Sequence, residues 1–461
     1  MVERLSPLDS SFLFMEGTTT AMHVGGLMTF EPTGGHGPAD FDAFIGLIGE
    51  RLAAVPRYRQ KIREVPGRLG LPVWVDDPDF DLGFHVRRSA LPAPGTPEQL
   101  RELVGRLQGR QLDRSRPLWE IYLVEGLEDG GFAIVTKTHH AMVDGLSSID
   151  IGAVLLDLTP TPRPSEPDDW RPRREPSSVE LAVDAVLDQL RRPQHLLGTA
   201  RRAVADVRTA ATAVAQTAGA VLATVGTTRP APSHPLNAAI GQQRRYGTTA
   251  GLLDDHKAIR KAHGGTVNDV VLAVVAGGLR RWLATRGEDV RPGATVRAMV
   301  PVSVRAPGAQ LGNQISALFV DLPVGEPDPV ARLERITAAM LAHKRGGQAI
   351  GAGALVGLVG LTPPTLHSLG ARLSSSLSAR VFNVVVTNVP GPQFPLYAMG
   401  ARMRDMYPVV PLAKGQTVSI GITSYDGGVF YGLNADRDAM GDVDVLAASI
   451  GEALDELRGT V

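Results

Sequence analysis

The sequence contains no cysteine among its 461 residues. Disulfides, thiolate nucleophiles and cysteine metal sites are excluded, and a reducing cytoplasm is the compartment that fits. Neither sign of charge is in excess, with 47 Lys and Arg against 48 Asp and Glu. That balance gives no bulk electrostatic case for nucleic acid or for a strongly anionic membrane. Strongly apolar runs are missing too. Residues 209–228 and 346–371 are long and uncharged, but the first is mostly Ala, Thr and Gly, and Pro363, Pro364 and several glycines break the second. Neither supplies the ~20 strongly apolar residues of a spanning helix, so a soluble chain that can touch a lipid surface is expected. The opening "MVERLSPLDSSFLFMEG" has no basic segment followed by an apolar core and cleavage site, so no secretion signal is read there. Also absent are GxGxxG, GxxxxGKS/T, HExxH and GxSxG. Their absence removes most of the case for nucleotide binding, zinc proteolysis and a serine hydrolase.

The length predicts two domains rather than one core. Two proline-rich breaks divide the chain, "LTPTPRPSEPDDWRPRREPSS" from Leu158 and "TTRPAPSHPLN" from Thr227. Between them Val179 to Val225 reads as helical, with Pro193 ending or kinking one segment. The expected layout is an N-terminal domain over 1–165, a Pro-rich and helical connector over 166–235, and a C-terminal domain over 236–461. Helical spacing appears in Phe41–Val55, Glu98–Leu112, Asp269–Thr285, Pro329–Lys344 and Val443–Leu457. Strand patterns appear in "HVGGLMTF", "WEIYLVEGL", "FAIVTKTHH", "TVRAMVPVSV", "ISALFVDLPV", "RVFNVVVTNV" and "TVSIGITSYDGGVFYGL". Strands and helices mix without the beat of a doubly wound sheet, which predicts an α/β fold of mixed sheets with flanking helices.

The chemistry concentrates in "TKTHHAMVDGLSS", Thr136 to Ser148. If the strand runs from Phe132 to His140, alternation puts Thr136, Thr138 and His140 on one face and Val135, Lys137 and His139 on the other. Two neighbouring histidines on one strand cannot both enter one pocket. The pair then reads as one working imidazole and one supporting residue, not as a metal clamp. Asp144 and Gly145 form a turn into a helix expected near Leu146, which Asp144 can cap. The functional reading is acyl transfer by direct attack, the histidine taking the proton from an acceptor hydroxyl. Taken singly, a histidine ending a buried strand also fits a satisfied core residue, and Asp-Gly is a common turn.

"HHAMVDG" matches the HHxxxDG signature of the chloramphenicol-acetyltransferase-like acyltransferases. Its companions "PLDSSFLFMEG", "RPLWEIYLVEGL", "TVNDVVLAVVAGGLRRWL", "MVPVSVR", "LGNQIS" and "VVVTNVPGPQFPLYAMG" follow in order along the chain. Together they resemble the bacterial wax ester synthase/diacylglycerol acyltransferases over nearly the whole length. The resemblance implies two chloramphenicol-acetyltransferase-like domains side by side with a channel between them. It implies His140 as general base, His139 as its supporting neighbour and Asp144 as a structural carboxylate, with Arg59 the expected cationic partner of Asp144. Asn268, Asn388 and Gly145 become candidate substrate-binding residues, although Asn268 can instead cap the helix that follows it. Pro117, Trp119, Pro390 and Gly391 read as structural. Ser424 and Asp426 are weaker candidates.

The implied activity is esterification of diacylglycerol, and of long-chain alcohols to wax esters, with acyl-CoA as donor substrate and no metal or other cofactor. Expected partners are therefore acyl-CoA and diacylglycerol or a long-chain alcohol. The expected location is cytoplasmic, with peripheral contact at the inner membrane or lipid droplets. Two alternatives stay open: a carrier-protein-dependent, condensation-like enzyme of the same superfamily, and a non-catalytic lipid-binding or droplet protein.

Overall fold

The computed structural model describes residues 2–32, 40–143, 151–164, 168–191, 231–232, 234–303, 315–346, 350–351, 378 and 381–461. The first seven strands among them are β1 (Glu3–Arg4), β2 (His23–Phe30), β3 (Gln60–Arg63), β4 (Val73–Asp76), β5 (Val86–Ala90), β6 (Trp119–Glu125) and β7 (Phe132–His139). The others are β8 (Arg244–Leu252), β9 (Val296–Ser303), β10 (Ile315–Leu322), β11 (Ile350–Gly351), β12 (Val384–Pro390), β13 (Tyr397–Ala398), β14 (Ala401–Val409), β15 (Val418–Tyr425) and β16 (Gly428–Asp436). A six-stranded sheet runs β13-β14-β2-β7-β6-β5, a seven-stranded one β11-β10-β9-β12-β15-β16-β8, and a small third one β1-β4-β3. Both large sheets are mixed: β5 and β6 are parallel in the first, and β12 is parallel to β9 and β15 in the second. The fold is the expected mixed α/β arrangement.

β6 and β7 are buried along their whole length, because each face of their sheet meets a core. Ile134 packs on one side with Phe44 and Ile48 from the Phe41–Arg51 helix. Ala133 and Val135 pack on the other with Leu100, Val104 and Leu107 from the Pro97–Gln108 helix, and with Tyr246 of β8. That helix starts at a capping box, Thr96 with Gln99, and carries an apolar stripe on a charged sequence. It also joins the two halves of the chain. Gly105 lies so close to β8 that a Cβ there would stand 2.7 Å from the Arg244 carbonyl oxygen. In the second half, the Val267–Thr285 helix is buried beside the Val443–Arg458 helix, which packs on β8, and the Pro329–Gly346 helix.

Two features were not legible in the sequence. β13 and β14 come from the C-terminal half yet complete the first sheet, β14 pairing antiparallel with β2 through a bulge at Met403 to Asp405. The proline-rich segment after Leu158 has linker composition, but its charges bind it to the N-terminal part. Asp168 takes Arg59, Arg173 takes Asp76, and Glu175 takes Lys61 and Arg63. Of the stretch expected to be helical from Val179 to Val225, Ser178–Arg191 is a helix. Pro193 and the remainder lie outside the described residues, as does Leu146. No helix among the described residues is long and apolar enough to cross a membrane.

Candidate active site

The strand that carries the histidine pair ends one residue earlier than alternation predicts. β7 stops at His139, and a short helix, His140–Val143, begins with the second histidine. The cause is local. The His139 Nδ1 atom accepts the Ala141 N–H at 3.1 Å, so the first side chain caps the turn that the second one starts. The main chain is fixed on both sides, His139 N–H to the Leu118 carbonyl at 2.9 Å and His140 N–H to the Met22 carbonyl at 2.8 Å.

The two rings meet different surroundings. His139 is fully buried, at 0% exposure. Since its Nδ1 is an acceptor, the neutral ring carries its proton on Nε2, which lies 3.7 Å from a Glu16 carboxylate oxygen. Burial, with His23, Arg114 and His140 adding to it against the pull of Glu16, lowers its pKa to about 3. His140 is only partly buried, stacked on Phe12 with ring centroids 3.9 Å apart. Its Nδ1 is enclosed and has no hydrogen-bond partner among the described residues. Burial lowers its pKa to about 4, against a weak pull from the residue's own backbone. Both imidazoles are neutral at physiological pH.

Beneath them lies a polar group that sequence reasoning missed. Glu16, its side chain 5% exposed, stands 3.4 Å from His23 Nε2 and accepts two bonds from the Arg114 guanidinium, that from Nε at 2.9 Å. Burial pushes the carboxyl up, but His23, His139 and Arg114 outweigh it and hold it near 2. The group forms because β2 pairs with β7 in a register that sets His23 opposite His139. Nothing in the sequence marks these residues singly. The available signal was an acid at the end of an apolar helix, "FLFMEG", and a histidine opening a strand.

The other expected residues are placed as follows. Asn388, near the end of β12, donates from its side-chain nitrogen to the Asn268 side-chain oxygen at 3.2 Å. Asn268 does not cap the helix. Thr266 does, in a capping box with Asp269, and Asn268 sits on the first turn beyond it. No hydrogen bond or ring contact among the described residues joins this asparagine pair to the histidines. Trp119 is fully buried, its indole N–H donating to the Tyr58 carbonyl at 2.7 Å, and Pro117 is buried beside it. Pro390 ends β12, and the Gly391 N–H donates to the Ser424 carbonyl at 2.9 Å, so Pro390 to Pro392 carry the chain out of the second sheet toward β13 in the first. Ser424 Oγ accepts from Gln393, and Asp426 accepts from Arg402.

Asp144 and Gly145 lie outside the described residues, and so does the pairing of Asp144 with Arg59 expected from the sequence. Both terminal nitrogens of Arg59 bond the Asp168 carboxylate, and its guanidinium rests on Trp170. Arg59 thus serves the proline-rich strap. A buried ion pair joins Arg51 to Asp157, both bonds at 2.8 Å. Among the described residues no three His, Asp or Glu side chains are grouped so as to hold a metal.

A neutral, partly exposed imidazole on a fixed neighbour, in this fold, now meets direct comparison. The sequence profile of the wax ester synthase/diacylglycerol acyltransferase catalytic domain matches residues 5–271, and that of the family's C-terminal domain matches 311–458. The chain belongs to the wax ester synthase/diacylglycerol acyltransferase family. It is an acyltransferase. A probable diacylglycerol O-acyltransferase of Mycobacterium tuberculosis is 35% identical, covering 99% of this chain and 96% of the relative. The solved wax ester synthase/diacylglycerol acyltransferase from Marinobacter aquaeolei VT8 is 29% identical, with 99% of each chain covered and a TM-score of 0.71. The first condensation domain of the calcium-dependent antibiotic synthetase, at 14% identity and a TM-score of 0.56 over 99% of this chain and 97% of that one, shares the fold. The family match gives the two-domain, condensation-like architecture expected of the signature.

Proposed function

We propose that this acyltransferase moves a fatty acyl group from acyl-CoA to a lipid hydroxyl. Diacylglycerol is the acceptor that gives triacylglycerol, and long-chain alcohols, giving wax esters, are a second one. The observation that supports the reading is the His140 ring, held neutral by burial with Nδ1 enclosed; we take Nε2 as the nitrogen that meets the substrate.

The acceptor oxygen attacks the thioester carbonyl carbon while His140 Nε2 takes its proton. The tetrahedral adduct collapses, the C–S bond breaks, and the leaving thiolate takes the proton back from the imidazolium. Ester and free CoA result, and the ring returns to its starting state. A base so placed is worth on the order of 10²–10⁴ in rate. His139 does not touch the proton in flight; buried between Ala141 and Glu16, it fixes where the His140 turn begins. We assign the Asn268–Asn388 pair to the amides of the donor's pantetheine arm. Each has an amide group without a partner among the described residues, Asn268 its nitrogen and Asn388 its oxygen. With its lipid substrates in a bilayer, the enzyme works peripherally at the inner membrane or on lipid droplets.

The test is labelled acyl-CoA incubated with diacylglycerol, hexadecanol or no acceptor, products separated by thin-layer chromatography, with an acylated carrier protein as the rival donor. Triacylglycerol formation from acyl-CoA is the expected result. Transfer from the carrier alone would overturn the donor assignment. His140→Ala should abolish transfer in a protein that stays folded; near-normal turnover would end the assignment of the base.

A further inference from the structure

Between the two halves of the chain lies a polar cleft of about 380 Å³, lined by Thr18, Arg106, Arg110, Gln111, Gln242 and Gln243. Its arginines are unusual for this surface. Their neighbours are paired, Arg101 with Glu98, Arg114 with Glu16 and Arg116 with Asp113. Arg106 and Arg110 have no ion-pair or side-chain hydrogen-bond partner among the described residues, and no acid lines the cleft. A helix end favours one cation. That does not account for a second one past the last turn, facing the same hollow.

The positive charge continues below the floor. Lys137 is buried, and its ammonium donates to the Arg110 carbonyl, 3.7 Å from Glu120. Burial lowers its pKa to about 8 against the pull of Glu120, with Arg87 and Arg110 adding to the fall. The cleft is also tied to the active site. Gln111 holds the Gly17 carbonyl at 2.7 Å, and Gly17 follows Glu16, which contacts His139. From Thr18 the chain runs four residues to Met22, whose carbonyl takes the His140 N–H. The lip of the cleft is therefore within about 15–20 Å of the imidazole by chain reach, the span of an extended pantetheine arm.

We propose that this cleft binds the phosphate-bearing nucleotide end of the acyl donor, with Arg106 and Arg110 forked onto phosphate oxygens and Thr18 and the glutamines available to the sugar and base. Guanidinium geometry matches phosphate in this way. The proposal rests on acyl-CoA being the donor. Its test uses the full-length enzyme and Arg106→Gln/Arg110→Gln. The preference for acyl-CoA over the same acyl group on pantetheine should fall at least about tenfold, through KM, with a parallel loss of inhibition by adenosine 3′,5′-bisphosphate. Arg106→Lys/Arg110→Lys should restore part of it. An unchanged preference in the glutamine variant, with the wild type active on acyl-CoA, overturns the cleft assignment alone; a wild type inactive on acyl-CoA overturns the donor assignment and the cleft together. If the glutamine variant instead loses binding to phosphatidylglycerol vesicles while its KM for acyl-CoA holds, the arginines face lipid headgroups and the proposal is wrong.

Discussion

Lowering the pH perturbs this site in a way that separates a buried base from an ordinary one. An imidazole of pKa 6.5 is about 90% unprotonated at pH 7.5 and about 9% at pH 5.5, so a reaction needing the free base loses about tenfold across that interval. Burial holds His140 at about 4. At that value the ring is still about 97% unprotonated at pH 5.5, and kcat/KM should change by less than about 1.1-fold. The same burial weakens the base, because its protonated form is the one disfavoured. On the proposed mechanism the enzyme gives up driving force for proton transfer and keeps the ring ready at every pH in the range. The assay is initial CoA release at subsaturating donor from pH 5.5 to 7.5, with circular dichroism at each point to show the fold intact. A tenfold acid limb centred near 6.5, in folded protein, would show that water reaches the ring in the working enzyme. The burial argument would then be wrong.

The remaining predictions concern what holds the site. Glu16→Gln should lower stability by about 1.5–3 kcal/mol, since it removes the charged acceptor of Arg114 beside His23 and His139; it should lower kcat more than it changes KM for acyl-CoA, and equal loss in both would make Glu16 merely structural. Asp157→Asn leaves the buried Arg51 charge unpaired and should cost about 3–5 kcal/mol in urea titration. The folded-state pKa of His139 is depressed to about 3 and that of His140 to about 4. Their contribution is therefore complete above pH 6.5 and declines as pH falls toward those values, by about 1 kcal/mol for each ring between pH 6.5 and 5.5, less for the partly exposed His140. A urea midpoint that rises over that interval would contradict the sign.

How much of this the sequence shows depends on the range of the interaction involved. "HVGGLMTF" reads as a strand and is β2; the expected helices at Phe41, Glu98, Asp269, Pro329 and Val443 all form, with ends displaced by a few residues. These elements declare themselves because their apolar period is their own. β14, "ARMRDMYPV", does not, because its alternation breaks at Asp405, it contains Pro408, and it gains its pairing from β2, far away in the chain. The proline-rich strap fails for the converse reason. Its composition is that of a free linker, and ion pairs to Arg59, Asp76 and Lys61, with Trp170 against Arg59 and Phe80, fix it. Asn268 fits a cap because Asn is a good one, yet Thr266, two residues earlier, takes the position with Asp269 as its reciprocal partner.

The histidine pair shows most plainly what a linear signature can and cannot say. Had β7 run on through His140, the two rings would stand on opposite faces of the sheet. It ends between them instead. His139 keeps the Lys137 face, where β2 supplies His23 and the turn after the first helix supplies Glu16, and there it can only be neutral, fixed and inaccessible. His140, released into a helical turn, lies against Phe12 with its Nδ1 enclosed, and the proposed mechanism gives its other nitrogen to the substrate. Two identical residues acquire different chemistry from where the strand stops, and the stop is enforced by the first of them through its bond to Ala141. A side chain at 139 that cannot accept that bond should therefore disturb catalysis by moving His140, even though it never meets the acyl group.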